Sequence, residues 1–304
     1  MTIFLPVAGV SINVFLLVGA GAFVGFLSGL LGVGGGFLLT PVLMMIGVPP
    51  TVAAASDTNA IVATSSSGMA AHVRLGNVDL KLGVVLLLGG LLGAAIGVQA
   101  IRVLRLLGSA DLVITVTYIV VLGGIGGYML AESLQSLRRG ALTPKAHAAH
   151  RPGRLLGRLP LQMQFPRSGI EHSVIVPFVL CMLVGVLAAI MGVGGGFIMV
   201  PMMVYLLRMP MHVAIGTDLF QILFTCAGLT VMQAVTNHTV DLVLALLVAA
   251  GSTLGAQVGA RMGRLLRGDQ LKIVLASIVL VVMLKMAVGL MLPPGNLLSY
   301  AKGH

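Results

Sequence analysis

The sequence predicts an all-α integral membrane protein of about ten hydrophobic helices, in two five-helix inverted repeats with a short helix after each GVGGG loop. Composition, apolar segments and an internal duplication support this fold class. Of the 304 residues, 58% are hydrophobic and 9% are charged, against about 25% charged residues in an ordinary soluble domain. This composition excludes a soluble enzyme, a disulfide-rich secreted scaffold and a disordered chain.

Ten apolar runs divide the chain, at residues 10–31, 36–48, 51–73, 79–101, 111–131, 172–191, 196–208, 212–235, 241–260 and 272–292. The second and seventh runs are short, because thirteen helical residues rise only about 20 Å, less than the roughly 30 Å of a hydrocarbon core. Residues 132–171 are rich in Arg and Pro and are expected to connect two halves. The predicted organisation is a first transmembrane repeat (1–131), a connector (132–171) and a second repeat (172–304).

The two halves share an ordered series of matching segments. Residues 25–41 and 185–201 are identical at nine of seventeen positions, with a constant offset of 160. The match continues with small slips: Ser56-Asp57 with Thr217-Asp218, Val78-Asp79-Leu80 with Val240-Asp241-Leu242, and Gly93, Gly97 and Arg102 with Gly255, Gly259 and Arg264. Five crossings in each half would place the second copy upside down in the membrane.

The basic residues indicate the orientation. With the N-terminus outside and ten crossings, fourteen Lys and Arg fall on the inner side and three on the outer side. Inner loops carry such an excess, so the connector is predicted to be cytoplasmic. The net charge of +10 is therefore attributed to membrane orientation, and nucleic acid is not expected as a partner.

A duplicated glycine block is the strongest candidate site. It comprises Gly32, Gly34, Gly35 and Gly36 in the first half, and Gly192, Gly194, Gly195 and Gly196 in the second. Each block opens a short helix, where free N–H groups and the helix dipole favour an anion. The alternative is that these glycines only allow tight helix packing. Gly89, in the middle of another run, is expected to lie away from this site, so that Gly89→Ala should bind the anion normally.

Asp57 and Asp218 form a second candidate site, for a coupling ion. An ionisable group inside a membrane helix usually faces a pathway or a partner. The alternative is an N-cap, because Asp often caps helices. Neighbouring polar residues are predicted to contact substrate: Asn59, Ser66, Gln221 and Thr225. Lys285, inside the last run, either extends to the membrane interface or contacts an anion.

Four other aspartates stand at the starts of apolar runs and are interpreted as helix caps: Asp79, Asp111, Asp241 and Asp269. The His residues of the connector region are too scattered to predict a metal site. Cys181 and Cys226 lie within apolar runs and are expected to pack as small hydrophobic residues. Neither a cofactor nor a bound metal is predicted, and the oligomeric state is left open.

Four features of the sequence resemble the sulfite exporter TauE/SafE family: the doubled GVGGGF block, the short helix after it, the (Ser/Thr)-Asp pair and the helix beginning Val-Asp-Leu. The resemblance spans both halves and leaves only the connector outside. It implies a permease of a bacterial or archaeal inner membrane that moves sulfite, sulfonates or related sulfur-containing organic anions. Coupling to H⁺, or else to Na⁺, would suit the aspartates. The alternatives are an uncoupled anion channel and, less favoured because no catalytic cluster appears, a membrane enzyme.

Overall fold

The computed structural model describes residues 2–31, 36–138, 162–165, 168, 170–207, 209–262 and 268–291. The predicted all-α class is confirmed, because ten helices account for most of these residues. The helices are α1 Val14–Leu31, α2 Gly36–Ile46, α3 Pro50–Arg74, α4 Leu80–Leu106, α5 Ala110–Arg138, α6 Ile175–Met191, α7 Gly196–Tyr205, α8 Met211–Thr236, α9 Leu242–Met262 and α10 Gly268–Met291.

A small β-hairpin precedes each group of five helices. Strands β1 (Thr2–Leu5) and β2 (Val10–Asn13) pair antiparallel, as do β3 (Gln162–Phe165) and β4 (Ile170–Ser173). The second hairpin repeats the first at an offset of 160 residues. The sequence did not predict these hairpins: the first overlaps the start of the 10–31 run, and the second lies largely within 132–171.

Among the described residues, four helices are long and apolar enough to cross a membrane: Leu80–Leu106, Ala110–Tyr128, Met211–Thr236 and Leu242–Gly259. Large apolar side chains such as Phe15, Leu88 and Leu254 are more than half exposed, as expected of surfaces that face lipid. Helices α2 and α7, with 11 and 10 residues, rise only about 15–17 Å. The prediction of two half-length helices is confirmed.

Two of the predicted aspartate caps are confirmed. Asp79 Oδ1 accepts from Leu82 N (3.3 Å) before α4, and Asp241 Oδ1 accepts from Leu244 N (3.1 Å) before α9. The prediction for Asp111 is wrong: it lies in the first turn of α5, and its Oδ1 accepts from Thr51 N (3.1 Å) at the start of α3. This carboxylate satisfies an amide of a neighbouring helix, which sequence spacing cannot reveal. The Asp269 side chain lies outside the described residues.

Glycine-rich faces bring four helices into backbone contact, α1 with α9 and α4 with α6. A Cβ added at Gly93 would overlap the Met182 carbonyl oxygen, and one added at Gly255 would overlap that of Ala22. Gly89→Ala is therefore not a suitable control for anion binding, because its Cβ would overlap the Phe178 carbonyl oxygen. Helices that approach this closely leave no space for a methyl group on the contact face.

The same contacts give the relative directions of the helices. Gly89 meets Phe178 and Gly97 meets Val186, so α4 and α6 run parallel. Corresponding contacts of Gly21 with Val248 and Gly29 with Ala256 make α1 and α9 parallel.

Helices α3 and α8 cross in the opposite sense. The Thr58 and Thr230 hydroxyls are 2.9 Å apart, while a Cβ at Gly68 would lie 3.1 Å from the Leu219 side chain. The residue number therefore rises along one helix as it falls along the other. Because α3 and α8 are equivalent helices of the two halves, this antiparallel contact is the one that an inverted arrangement requires.

Candidate functional site

The second glycine block forms a left-handed turn between α6 and α7. Gly192, Gly194 and Gly195 have φ of +73°, +70° and +85°, and Gly196 is the first residue of α7. L-residues with a Cβ rarely adopt these angles, which explains the glycines. Of the first block, the predicted site residues Gly32, Gly34 and Gly35 lie outside the described residues, and Gly36 is the buried first residue of α2.

Free amide groups remain in this turn. The Gly192 amide donates to Ala188 O (2.7 Å) and completes α6. Between described residues, the amides of Gly194, Gly195 and Gly196 donate no hydrogen bond. All four glycines are buried. Buried amides at the positive end of a helix need an acceptor, which an anion supplies.

Gly36, at the start of α2, lies next to the second glycine block. A Cβ at Gly36 would be 3.3 Å from Val193 O, across the two halves. The rings of Phe37 and Phe197, equivalent residues of the two short helices, stack with centroids 5.3 Å apart and an interplanar angle of 20°. The starts of α2 and α7 therefore meet at the contact between the halves.

Asp57 is buried in the second turn of α3, with none of its surface exposed. Its Oδ2 accepts from the Thr40 hydroxyl of α2 (2.8 Å), and its Oδ1 is buried with no hydrogen-bond partner among the described residues. Asp57 follows Pro50, the first residue of α3, by seven positions. The N-cap interpretation is therefore wrong for this residue.

Asp218 holds the equivalent position in α8, seven residues after Met211, so the N-cap interpretation is wrong here also. It is 3% exposed, and its Oδ1 has no hydrogen-bond partner among the described residues. The Cys226 thiol is close enough to both aspartates to interact with each electrostatically. Both carboxyl groups therefore lie within the protein, near Cys226.

The residue before each aspartate binds the opposite half. Ser56 Oγ accepts from Asp241 N at the start of α9, and Thr217 Oγ1 accepts from Asp79 N at the start of α4, each at 3.1 Å. These two hydroxyls thus accept hydrogen bonds from the backbone amides of two helix-capping residues. The reciprocal bonds fix α3 and α8, and with them the aspartates, against the other repeat.

A cavity opens beside Asp57 between α1, α2, α3 and α9. Its lining includes the polar side chains of Ser28, Asp57, Thr64 and Ser252, with Gly36 at the start of α2. The cavity encloses about 220 Å³ including its open mouth, but only about one water molecule fits inside. It therefore joins a candidate ion-binding carboxylate to the start of a candidate anion-binding helix.

The remaining predicted site residues are distributed around this centre. Gln221 and Thr225 are buried in α8, where Gln221 Nε2 donates to Thr225 Oγ1 (2.9 Å). The Asn59 Nδ2 is buried and without a hydrogen-bond partner among the described residues. Ser66 is exposed and donates to Ala63 O of its own helix (2.8 Å). Lys285 lies on the exposed face of α10. The first three lie close to the buried aspartates in sequence, whereas Ser66 and Lys285 face outward.

Sequence reasoning missed four residues near Asp57: Ser28, Thr40, Tyr118 and Ser252. The fully buried Tyr118 hydroxyl donates to the carbonyl of Met191, the residue before the second glycine turn, and also interacts with Thr40 and Asp57. The sequence did contain a signal for Thr40: the repeated block has a hydroxyl residue there, whereas the second copy of the block has Val200. Tyr118 carries no such signal, since its contacts depend on how α5 packs.

Comparison with known proteins identifies relatives across most of the chain. It is 25% identical over 277 residues to the "Probable membrane transporter protein YunE" of Bacillus subtilis (strain 168), covering 88% of this chain and 94% of the relative. It is 28% identical over 249 residues to a "Probable membrane transporter protein" of Xylella fastidiosa (strain 9a5c), covering 81% and 84%. A shorter match, 30% identical over 113 residues (35% of this chain and 24% of the relative), is the "Sulfite exporter TauE/SafE family protein 3" of Arabidopsis thaliana. No solved structure matches the chain.

The family comparison covers nearly the whole helical region. The sequence model described as "Sulfite exporter TauE/SafE" matches residues 17–286, from the first turn of α1 to the last turns of α10. Both glycine blocks and both buried aspartates lie inside that range. The chain is therefore an integral membrane transporter that belongs to the sulfite exporter TauE/SafE family.

Proposed function

We propose that this protein is a secondary transporter of sulfite, a sulfonate or a related sulfur-containing organic anion, coupled to the proton gradient. The observation that carries the proposal is the buried glycine turn of the second half, whose free amides lie beside the start of α2. Sulfite and sulfonates present several acceptor oxygens to such amides, and no cationic side chain is needed. The family assignment supports the same class of substrate.

The buried aspartates provide the coupling in this proposal. An ionised carboxylate at the centre of a membrane helix costs about 2.5–3.5 kcal/mol on insertion scales. Asp57 and Asp218 each keep one buried oxygen with no partner among the described residues. Taking up a proton removes that cost, and releasing it restores the charge. A proton gradient can therefore drive a change in the buried environment next to the anion.

The proposed architecture is an inverted repeat, with the N-terminus outside and the 132–171 connector in the cytoplasm of a bacterial or archaeal cell. Asp241, before α9, bonds both Val7, before α1 (3.0 Å), and Ser56, near the start of α3 (3.1 Å). Helices α1 and α3 therefore begin on the same side of the membrane. Helices α1 and α2 together must bring the chain back to the side on which α1 begins. The three helices α3, α4 and α5 then cross the membrane an odd number of times. The second half therefore begins on the opposite side of the membrane from the first half, whether or not α2 crosses.

Purified protein reconstituted into liposomes tests the function. An imposed proton gradient is expected to accumulate sulfite against its concentration gradient, whereas Asp57→Asn should retain sulfite exchange and lose accumulation. Downhill flux alone would indicate an anion channel, and conversion of the anion would indicate an enzyme. Wild-type accumulation in both Asp57→Asn and Asp218→Asn would contradict the coupling role.

The substrate is identified by a thermal-shift screen against sulfite, sulfate, thiosulfate, sulfoacetate and taurine. A ligand at a hundred times its Kd raises the stability of the folded state by about 2.7 kcal/mol. Sulfite or a sulfonate is expected to stabilise the protein more than chloride does at the same ionic strength. Equal stabilisation by all anions would contradict a selective site.

A further inference from the structure

The surroundings of Asp57 differ chemically from those of Asp218, although the two halves share a fold. Three hydroxyl side chains near Asp57 have counterparts without a hydroxyl. Ser28 corresponds to Ala188, Thr40 corresponds to Val200, and Ser252 corresponds to Gly90. The pairing of Ser252 with Gly90 is also structural, because a Cβ at Gly25 would overlap Ser252 and one at Gly185 would overlap Gly90.

Two of the hydroxyls that line the cavity donate their protons to carbonyl groups of their own helices. Thr64 Oγ1 donates to Ala60 O (3.0 Å), and Ser252 Oγ donates to Ala249 O (3.2 Å), so each proton is used within its own helix. The Ser252 hydroxyl oxygen can therefore act as an acceptor towards the cavity that it lines with Asp57. A carboxylate oxygen surrounded by hydroxyl oxygens is a ligand set for a hard cation, not for an anion.

In the second half, a side chain occupies the corresponding space. Gln221 stands where the first half has Ala60, and it is 2% exposed. A Cβ at Gly90 would lie 2.8 Å from Gln221 Nε2 and 2.9 Å from Thr225 Oγ1. The hydroxyl of Thr225, the counterpart of Thr64, already accepts from Gln221. The counterpart of the Asp57 cavity is thus filled by the Gln221 amide.

The size of the cavity also selects the ligand. It has room for about one water molecule, which suits a proton-carrying water or a dehydrated Na⁺ and is too small for a sulfonate. We propose that the Asp57 cavity exchanges a single monovalent cation, H⁺ or Na⁺, and that the filled counterpart at Asp218 exchanges none. This narrows the coupling proposed above for both aspartates to Asp57, with one cation site per chain. The transport role of this cation rests on the proposed function, but its binding does not.

Infrared difference spectroscopy of the purified full-length protein, with no sulfur-containing anion present, tests the binding directly. Carboxyl bands are compared between Na⁺ and choline at constant pH, and across a pH series in choline. Beside the bands of exposed carboxylates, which all variants share, one further carboxyl band that responds to Na⁺ or to pH is expected in the wild type and in Asp218→Asn, and it should be missing from Asp57→Asn. Because no sulfite is used, failure of sulfite transport would leave this result unaffected.

A reciprocal exchange of the filling residue provides the matched control. Ala60→Gln places the second-half amide beside an intact Asp57 and should abolish the cation response, whereas Gln221→Ala should keep it. Ser252→Ala distinguishes the two cations, because losing one ligand should weaken Na⁺ binding about tenfold, or about 1.4 kcal/mol, and leave a proton response unchanged.

Several outcomes would overturn the proposal: no cation response in the wild type, a response that survives in Ala60→Gln, or a response lost in Asp218→Asn and kept in Asp57→Asn. If Asp57→Asn does not fold, Ala60→Gln still tests cation binding, because this variant retains the Asp57 carboxylate.

Discussion

Replacing Gly195 by Ala tests whether the glycine turn binds the anion or only allows packing. Gly195 has a φ of +85°, and an added Cβ would overlap the Val184 Cγ1 of α6. The left-handed conformation costs an L-residue about 1–2 kcal/mol, and the overlap adds about 1–3 kcal/mol as in other overpacked cores. Gly195→Ala is therefore expected to be about 2–5 kcal/mol less stable than the wild type. If a sulfite oxygen binds the turn, affinity should also fall about ten- to a hundredfold, since a charge-assisted hydrogen bond contributes about 1.5–3 kcal/mol.

A second substitution separates these two effects. Val184→Ala removes the overlapping methyl groups at a cost of about 1.5 kcal/mol, so the double variant should unfold at a higher temperature than Gly195→Ala. Sulfite binding, measured by thermal shift in detergent, should nevertheless stay weak. Gly19→Ala is the control, because nothing lies within 4 Å of its added Cβ. A double variant with wild-type sulfite affinity would refute the anion-binding role, and full stability of Gly195→Ala would refute the left-handed turn.

Three further predictions concern topology, packing and capping. Cysteines placed at Ser11 and Ala148 should label from opposite sides of the membrane, and labelling from one side would exclude the inverted arrangement. Gly93→Ala should lower stability by about 1–3 kcal/mol or more, whereas Gly124→Ala, with nothing within 4 Å, should be neutral or stabilising by up to about 1 kcal/mol; equal melting temperatures would contradict the close contact of α4 with α6. Asp79→Ala should cost about 0.5–2 kcal/mol, measured by thermal unfolding, while Asp79→Asn should recover most of that loss if capping is its main role.

Each repeat is completed by groups from the other. The hydroxyls of Ser56 and Thr217 accept amides that precede helices of the opposite half, and Tyr118 of the first half binds the carbonyl of Met191 in the second. A chain of contacts runs from Asp57 through Thr40 and Tyr118 to Met191, the residue before the second glycine turn. These contacts connect the proposed cation site with the proposed anion site.

The sequence alone determined the membrane class, the ten helices, the two half-length helices and the family. These properties depend on composition, on the length of apolar runs and on residues that recur at a fixed offset, all of which are local or periodic signals. It also located the buried aspartates, because a carboxylate within an apolar run is conspicuous wherever the run folds.

Only the tertiary structure decided how these residues are surrounded. It showed that Asp57 and Asp218 are not caps, that Asp111 serves a neighbouring helix, and that Gly89 contacts another backbone. It also brought Ser28 and Ser252, more than two hundred residues apart in the chain, to the same cavity as Asp57. Sequence spacing describes one helix at a time, whereas a binding site depends on side chains that meet only when separate helices pack. For that reason the duplicated sequence predicted two similar sites, and the packing instead placed Gln221 in one of them.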